Sequence, residues 1–347
     1  MALAKFGDFT SLLKFLSFSS LSGATTYYLM NQRTRRAVNA REVIVATGCD
    51  SGLGYSIAVH CHNVLNMSVV ACVQHPDSKG AAKLRNMFSN SNRFHIMELE
   101  ITKQDNIVAV NKFVQDLLDE NKDLRLSALV NNCGVMNFGE TEWQTTDQIE
   151  SQVNVNLLGT MRMTKAFLST IRQHKSRIIN VTSHCGLRTL PALPIYCATK
   201  AGLVAFTEGL RLDMEKYGVD VVSFVPGSFV MSSNISSMQS KRAEEMQKAF
   251  NDEQKNFYAD YFARFYKHLE VISFEREPQM VDSLILEGFE SALLETPPKR
   301  QYLCEPLRYK LYHLLFKITP QPVTDFLLKK FVAFPAYDPS KSIQNQL

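Results

Sequence analysis

From residue 42 onward, short apolar runs alternate with longer amphipathic stretches, and this alternation restricts the fold more than any other feature of the sequence. The apolar runs have the length of strands, and the stretches between them have the length and periodicity of helices. Consecutive parallel strands need such helical connections, because the chain must cross back before the next strand begins. The pattern therefore predicts an α/β fold with one doubly wound parallel sheet and helices on both faces. The predicted strands are Val43–Thr47, Ser68–Val73, Phe94–Leu99, Ala128–Asn131, Arg177–Thr182, Val219–Val225 and Gln301–Cys304.

Length and composition are those of a globular protein that can bury one large core or two modest ones. The chain has 347 residues, of which 45% are hydrophobic and 21% are charged. We divide it into an N-terminal apolar and basic segment (1–41), a main domain (42–305) and a C-terminal helical extension (306–347). The net charge of +4 comes without a long basic block, so nucleic acid is not expected as a partner. The seven cysteines form no C-x-x-C pair, which favours reduced thiols, and no ordered ligand spacing follows the cluster His60-Cys61-His62, so no metal is expected.

Three glycines follow the first predicted strand within seven residues: Gly48, Gly52 and Gly54. A glycine-rich turn between a strand and a helix lets backbone N–H groups approach a diphosphate, and the start of the helix attracts negative charge. The turn, with Ser51 and Leu53 inside it, is therefore predicted to hold a dinucleotide in a Rossmann-like sheet. A tight structural turn would explain the same glycines, since their spacing differs from the G-x-G-x-x-G pattern.

A tyrosine and a lysine four residues apart, Tyr196 and Lys200, lie on one face of a predicted helix. A nearby cation favours the phenolate, so we expect the pKa of Tyr196 to fall from about 10 toward that of a general acid or base. Ser183 stands at the end of a predicted strand, where its hydroxyl can hydrogen-bond a reacting carbonyl or alcohol. Each of these residues alone would be explained equally well by a solvated helix face or a strand end.

Six stretches of the main domain follow one another in a specific order: TGCDSGLG (47–54), NNCG (131–134), NLLG (156–159), Ser183, YCATK (196–200) and PG (226–227). Together they resemble the short-chain dehydrogenase/reductase family over roughly residues 42–305. The similarity is greatest to the subgroup that contains D-β-hydroxybutyrate dehydrogenase, 17β-hydroxysteroid dehydrogenases and retinol dehydrogenases. The resemblance implies an enzyme, and a homo-oligomer of two or four chains, that interconverts a secondary alcohol and a ketone with a nicotinamide dinucleotide.

The resemblance also implies a role for each matching residue. Tyr196 would be the general acid/base, and Lys200 would lower its pKa and hold the nicotinamide ribose. Ser183 would orient the substrate oxygen, and Asn156 would hold a water in a proton relay. The implied cofactor-binding residues are Gly48, Ser51, Gly52, Leu53, Gly54, Glu100, Asn131, Tyr196, Lys200, Pro226 and Gly227.

Some positions depart from the family pattern. Glu100 stands where the family commonly has aspartate next to the adenine. Met231 replaces a threonine that would hold the nicotinamide carboxamide, although Ser232 or Ser233 could substitute for it. The arginine that usually follows the catalytic serine is displaced to Arg188. These departures leave the implied chemistry intact but affect how the cofactor and substrate would be held.

NAD is expected rather than NADP, because the 2′-phosphate of NADP needs a lysine or arginine beside the adenine ribose. Ser51 occupies a loop position where NADP-binding relatives often carry a basic residue, and the stretch VQHPD (73–77) contains neither lysine nor arginine. The acidic residue usual at the end of the second strand is also missing, so NADP remains the less favoured alternative.

The substrate is expected to be lipophilic. Residues 228–275 follow the sixth predicted strand, where the family places its substrate lid, and they are rich in Phe, Tyr and Met. Most of these side chains would simply pack on the sheet, yet their number favours a steroid or sterol, such as an ecdysteroid precursor, or a retinoid. One alternative is 3-hydroxybutyrate, whose carboxylate would need a cation such as Arg188. An alternative of another class, a nucleotide-binding scaffold without turnover, is disfavoured by the intact catalytic residues.

Both ends of the chain favour membrane association. The apolar run Phe15–Met30 is too short to span a bilayer securely and is followed by a cluster of arginines at 33, 35, 36 and 41. Near the other end, 307–334 interleaves basic and aromatic residues. We therefore expect a membrane-associated enzyme at the endoplasmic reticulum, with the mitochondrion as the alternative. A helix that packs on the domain would explain either segment without a membrane.

Overall fold

The computed structural model describes residues 33–227, 234–270, 277–304, 315–316 and 318–341. Its main element is a seven-stranded sheet in which all neighbouring strands are parallel, in the order β4-β3-β2-β5-β6-β7-β9. The strands are β1 Thr34–Arg35, β2 Glu42–Thr47, β3 Ser68–Val73, β4 Phe94–Glu98, β5 Arg125–Asn131, β6 Arg177–Val181, β7 Val221–Val225, β8 Glu295–Thr296 and β9 Gln301–Leu303. The order reverses beside β2, which is the switch point where doubly wound sheets bind ligands.

Helices connect the strands and cover both faces of the sheet. They are α1 Gly52–Asn63, α2 Lys79–Met87, α3 Gln104–Glu120, α4 Thr146–Val153, α5 Thr160–His174, α6 Pro194–Glu215, α7 Gln239–Ala249, α8 Asp252–Leu269, α9 Ser283–Leu294 and α10 Gln321–Val332. A π-helical segment, Asn154–Gly159, joins α4 to α5, and such segments often occur at functional sites.

The central strands are apolar throughout because helices cover both of their faces. Every residue of β2 and β3 is buried. On one face, Leu53 and Ile57 of α1 pack in the same core as Phe289 of α9. On the other face, Ile107 of α3 and Phe167 of α5 belong to a second core. The predicted α/β fold with a doubly wound parallel sheet is confirmed, and each predicted strand agrees with the observed one to within three residues.

An antiparallel pair of two-residue strands, β1 and β8, was not expected from the sequence. Next to it, the backbone N–H of Arg36 donates to Leu294 O at 2.9 Å, and its side chain donates to Glu42 at 2.9 Å and to Ser127 at 2.6 Å. Arg35 likewise pairs with Glu290 at 3.1 Å. Residues 33–41 therefore pack on the main domain, and their arginines have structural partners.

The predicted apolar run Phe15–Met30 lies outside the described residues. The same holds for Met231, Ser232 and Ser233, for the part of the predicted lid at 228–233 and 271–275, and for the basic and aromatic residues at 307–314. In the part of the chain that the structure describes, no helix has the length and apolar character needed to cross a membrane.

Candidate active site

A cavity of about 1470 Å³ opens at the carboxyl ends of the parallel strands. This is the edge where open α/β sheets place their ligands. The lining of the cavity includes Gly48, Ser51 and Leu53 of the turn after β2, and it also includes Ser183 and Tyr196. The two groups of residues that the sequence predicted for cofactor and catalysis therefore share one cavity.

The glycine turn has the backbone shape that a diphosphate site requires. Gly48 and Gly52 have φ of 69° and 57°, a conformation that favours glycine. A Cβ atom on Gly54 would lie 2.1 Å from Gly48 O, so Gly54 allows α1 to approach the end of β2. The Ser51 hydroxyl makes no capping hydrogen bond to the first turn of α1. The N–H groups of that turn are thus open to an anionic ligand, and the residues fit a dinucleotide diphosphate.

The other predicted cofactor residues divide into two groups. Glu100, Pro226 and Gly227 line the cavity. Asn131 does not, because its side chain points into the sheet, where its amide donates to Thr164 Oγ1 at 3.0 Å and Asn180 Oδ1 at 2.8 Å. Its neighbour Asn132 lines the cavity instead and donates to the backbone oxygens of Thr47 and Gly48. Asn131 therefore supports the strand, and Asn132 fixes the turn.

Asp50 is a residue of the cavity that the sequence analysis missed. Its carboxylate accepts hydrogen bonds from the backbone N–H groups of Gln74 at 2.8 Å and His75 at 3.2 Å, and from Ser78 Oγ at 3.0 Å. It therefore ties the glycine turn to the loop after β3, which surrounds the nucleotide end of the cavity. Its position inside the TGCDSGLG turn was the sequence feature that could have indicated this role.

Ser183, Tyr196 and Lys200 come together between β6 and α6. Ser183 follows β6, and its Oγ accepts a hydrogen bond from the N–H of Cys185 at 3.1 Å, so its hydroxyl hydrogen can be donated elsewhere. The Ser183 side chain also hydrogen-bonds the Tyr196 phenol. Lys200 Nζ donates to Val181 O at 3.0 Å and lies 5.8 Å from the centre of the Tyr196 ring. All three residues line the cavity.

The pKa of Tyr196 differs from the expectation. Burial raises it, and the nearby Cys185 raises it further, while the hydrogen bond from Ser183 lowers it. Burial also lowers the pKa of the Lys200 ammonium to about 8. The predicted decrease in the pKa of Tyr196 was wrong, because desolvation of the buried phenol outweighs the attraction of an ammonium that lies 5.8 Å from the ring centre.

Asn156 lies in the π-helical segment and is fully buried. Its Oδ1 accepts from Val135 N at 2.8 Å, while its Nδ2 donates to Val135 O at 2.8 Å and Thr199 Oγ1 at 3.1 Å. Both amide hydrogens are therefore used. A Cβ on Gly134 would lie 3.5 Å from Asn156 Oδ1 and 3.6 Å from Lys200 Nζ, which are ordinary contact distances, so both polar groups lie beside this glycine. The water-holding role of Asn156 remains a prediction.

The end of the cavity beyond Tyr196 is mostly apolar. Several parts of the chain form it: the loop after β5, the segment 183–193, the predicted lid at 234–242 and 267–269, and the C-terminal extension. The guanidinium of Arg188 donates to Phe316 O at 2.7 Å and so joins the extension to the loop that follows Ser183. The apolar lining residues here include Met136, Phe138, Leu190, Leu193, Phe316, Leu328, Val332 and Phe334.

A family model for short chain dehydrogenases matches residues 42–244. The match covers more than half of the chain and includes the glycine turn, Ser183, Tyr196 and Lys200. The protein therefore belongs to the short-chain dehydrogenase family. It is an alcohol dehydrogenase or reductase, and its cofactor is a nicotinamide dinucleotide.

Curated relatives place the chain in the predicted subgroup. The mitochondrial D-beta-hydroxybutyrate dehydrogenase of Bos taurus is 30% identical over 277 residues, which cover 77% of each protein. Short-chain dehydrogenase/reductase family 9C member 7 of Homo sapiens is 30% identical over 303 residues, or 86% of this chain and 92% of the relative. Estradiol 17-beta-dehydrogenase 2 of Mus musculus is 30% identical over 295 residues, or 84% and 74%. The chain is similar to all three to nearly the same degree.

Proposed function

We propose that this enzyme interconverts a secondary alcohol and a ketone on a lipophilic substrate, with NAD as cofactor. The observation that carries the proposal is the position of Tyr196, at the junction between the glycine-turn end of the cavity and its apolar end. A substrate oxygen at this junction would meet the phenol of Tyr196 and the hydroxyl of Ser183. Its carbon skeleton would occupy the apolar end.

The chain's own residues would manage the proton and the orientation of the substrate. The bound nicotinamide dinucleotide accepts or supplies the hydride. Tyr196 takes the proton from the alcohol during oxidation, or gives it to the ketone during reduction. Ser183 donates its hydroxyl hydrogen to the substrate oxygen, since its own oxygen already accepts from Cys185 N. Lys200 supplies a positive charge beside the phenol, which favours the phenolate.

The preference for NAD over NADP rests on the charges at the nucleotide end. Two carboxylates, Asp50 and Glu100, line this end and would repel a 2′-phosphate. Lys79 also lines the nucleotide end of the cavity, and its positive charge would favour NADP. The sequence did not indicate this lysine. Lys79 is paired with Glu277 at 3.1 Å and is more than half exposed, so solvent screens its charge. The balance supports NAD.

The large apolar end supports a steroid, sterol or retinoid skeleton. Eight of its lining side chains are aliphatic or aromatic, and they come from separate parts of the chain. The likeness to estradiol 17-beta-dehydrogenase 2 is consistent with a rigid polycyclic alcohol such as an ecdysteroid precursor. A four-carbon hydroxy acid would contact few of these apolar side chains.

3-Hydroxybutyrate is the second candidate, because Arg188 lines the cavity and could bind a carboxylate. The likeness to D-beta-hydroxybutyrate dehydrogenase adds support. One observation disfavours this candidate. The guanidinium of Arg188 already donates a hydrogen bond to Phe316 O, so holding the C-terminal extension is a sufficient structural role for this arginine.

The test is a spectroscopic screen at the nicotinamide absorbance. Purified full-length protein is incubated with NAD or NADP and with steroids, sterols, retinol or 3-hydroxybutyrate. We expect turnover of a polycyclic or isoprenoid alcohol with NAD. Turnover of 3-hydroxybutyrate alone would establish the second candidate, and no turnover of any alcohol or ketone would contradict the proposal.

We propose that the enzyme works at a membrane surface, with the endoplasmic reticulum favoured and the mitochondrion as the alternative. Helix α10 supports this: Leu328 on its inner side lines the cavity, while Val323 and Phe326 on its outer side are exposed beside Lys329 and Lys330. An exposed apolar stripe next to basic residues suits an anionic lipid surface. A lipophilic substrate could then reach the cavity from the bilayer.

A further inference from the structure

The loop that follows β5 is partly buried and has no regular secondary structure. Residues 132–138 form neither helix nor strand, and Met136, Asn137 and Gly139 are all buried. Loops usually run over the surface, because a buried loop must find partners for its backbone N–H and C=O groups. The partners of the stretch 136–139 therefore show what holds this part of the cavity wall in place.

Some of these partners lie in and just before α4, and one lies just before α6. The backbone N–H of Asn137 donates to Gln152 Oε1 at 3.2 Å, and Gly139 O accepts from Gln144 Nε2 at 3.0 Å. The N–H of Gly139 donates to Ala192 O at 2.9 Å. These bonds fix one side of the loop.

The other partners come from α7 and α8, two helices of the predicted lid. Gln239, the first residue of α7, is fully buried; its Nε2 donates to Met136 O at 2.6 Å, and its Oε1 accepts from Phe138 N at 3.0 Å. Arg242 also donates to Met136 O, at 2.7 Å, and the Tyr266 hydroxyl of α8 donates to Phe138 O at 2.6 Å. The carboxamide of Gln239 thus bonds two peptide groups of the loop in the way that a neighbouring strand would.

The loop connects Gln239 to the phenol of Tyr196. Met136 is buried in the same apolar cluster as Leu193 and Tyr196, and both Met136 and Phe138 line the cavity. Gln239 does not itself line the cavity, so its side chain acts on the site only through the loop that it holds. Without its carboxamide, the N–H of Phe138 would lose the acceptor that the structure gives it, and Met136 O would keep only the bond from Arg242.

We propose that Gln239 is a positioning residue for the reaction. It fixes the peptide groups of Met136 and Phe138, and through the packing of Met136 it holds the phenol of Tyr196 in place for proton transfer. This role rests on the proposed function, in which Tyr196 transfers the proton. Displacements of about 1 Å between reacting groups can cost about 100-fold in rate, so a small shift of the loop is enough to affect turnover.

The structural test needs no substrate. Gln239→Leu removes both hydrogen bonds at similar volume, and Gln239→Glu keeps the acceptor for Phe138 N but has no hydrogen to donate to Met136 O at neutral pH. Gln247→Leu, at an exposed glutamine of the same helix, is the matched control. Hydrogen exchange of the full-length protein, followed by mass spectrometry, should be about ten-fold faster or more over 136–139 in Gln239→Leu, less so in Gln239→Glu, and unchanged in Gln247→Leu.

Gln239→Glu serves alone if Gln239→Leu does not fold. Parent-like exchange over 136–139 in every Gln239 variant that folds would overturn the proposal, whatever the substrate turns out to be.

The activity test uses the steroid, sterol, retinol or 3-hydroxybutyrate that the parent turns over fastest with its preferred cofactor in the screen described above. In Gln239→Leu, kcat should fall about ten-fold or more, while the affinity for that cofactor, measured by calorimetry, should stay within about two-fold of the parent. Gln247→Leu should match the parent in both. An unchanged kcat, or an equal loss of kcat and cofactor affinity, would reject the positioning role. A parent that turns over none of the probes would contradict the proposed function instead, and the exchange measurement would still decide whether Gln239 holds the loop.

A double substitution separates positioning of the phenol from a general loss of order. In a protein that already carries Tyr196→Phe, no phenol remains to be positioned. Adding Gln239→Leu should therefore lower the residual turnover by less than about two-fold. A further ten-fold loss in that protein would show that Gln239 acts on something other than Tyr196 and would reject the proposal.

Discussion

The ammonium of Lys200 lies 5.8 Å from the centre of the Tyr196 ring, and it is held there by a 3.0 Å hydrogen bond to Val181 O at the end of β6. The lysine is therefore positioned by the sheet rather than by the tyrosine. Both groups are buried, so each resists the charged form that catalysis requires of it. A negatively charged ligand in the same cavity would stabilise the ammonium, which would in turn favour the phenolate.

Replacing the phenol tests the central residue. Tyr196→Phe removes the group that transfers the proton but leaves Lys200 and the glycine turn unchanged. We expect the turnover number to fall about 100- to 10,000-fold, the usual contribution of general acid–base catalysis. Cofactor affinity, measured by calorimetry on the same preparation, should remain within about two-fold of the parent. A variant that keeps full turnover would show that another group transfers the proton.

The lowered pKa of Lys200 predicts how stability changes with pH. The unfolded chain holds this proton up to a pH of about 10.5, whereas the folded chain releases it above about 8. The unfolded state thus binds more protons between these values, and the folded state gains stability from this group as the pH rises through them. Below pH 8 that gain is absent.

Lys200→Met removes this contribution, so the comparison with the parent isolates it from the other titrating groups. Denaturant unfolding at pH 7 and at pH 10.5 should show the parent gaining about 3 kcal/mol relative to the variant, at 1.36 kcal/mol per pKa unit. A difference between the two proteins that does not change with pH would mean that the ammonium is not desolvated.

The glycine turn can be tested with a matched pair of alanine substitutions. A Cβ on Gly54 would lie 2.1 Å from Gly48 O, so Gly54→Ala should destabilise the protein by about 3 kcal/mol or more and weaken dinucleotide binding. Gly209 lies inside α6 with nothing within 4 Å of a built Cβ, and Gly209→Ala should stabilise the fold by about 0.5–1 kcal/mol. Thermal unfolding with and without NAD gives both results. Similar behaviour of the two variants would contradict the close packing at Gly54.

Lys79 tests the nucleotide preference. Lys79→Gln should leave the KM for NAD unchanged, because only NADP carries a phosphate beside this residue. The KM for NADP should increase about two- to five-fold, a modest effect for a charge that is largely exposed. Lys241→Gln, at an exposed lysine on α7, is the control for a general loss of positive charge. A parent enzyme with the lower KM for NADP would reverse the assignment.

Membrane binding is tested on the outer side of α10. Phe326 is 58% exposed there, and Phe326→Glu should reduce co-sedimentation of the protein with vesicles that contain phosphatidylserine. Leu212, 61% exposed on α6, is an equally exposed apolar residue away from that helix, and Leu212→Glu should sediment like the parent. If neither substitution alters sedimentation, α10 does not contact the lipid.

The sheet and the meeting of Ser183, Tyr196 and Lys200 in one cavity could be predicted because their signals are local in sequence. Buried parallel strands appear as continuous apolar runs, and the turn after β2 is marked by its glycines. The pair β1–β8 left no such signal, because each strand has only two residues and its partner is about 260 residues away. The sequence alone does not distinguish the adjacent Asn131 and Asn132. Successive side chains of a strand point to opposite faces, so the orientation of β5 decides which of the two reaches the cavity.

The direction of the Tyr196 pKa shift could not be predicted from the spacing of Tyr196 and Lys200. Spacing shows that two side chains share a helix face, but it gives neither the burial of the pair nor the carbonyl that holds the lysine. Asp50 was missed for a similar reason, since its three hydrogen-bond donors come from a loop more than twenty residues further along the chain.

The hydrogen bond between Arg188 and Phe316 joins the part of the chain that matches the family model to a part that lies beyond it. The match to the family ends at residue 244, yet Phe316, Leu328 and Val332 all line the cavity that contains Ser183 and Tyr196. Mutations in this late part of the gene can therefore reshape the binding space while Ser183, Tyr196 and Lys200 keep the same reaction. Descendants of such a gene could acquire new substrates by drift in their final hundred codons, without losing the ability to transfer a hydride.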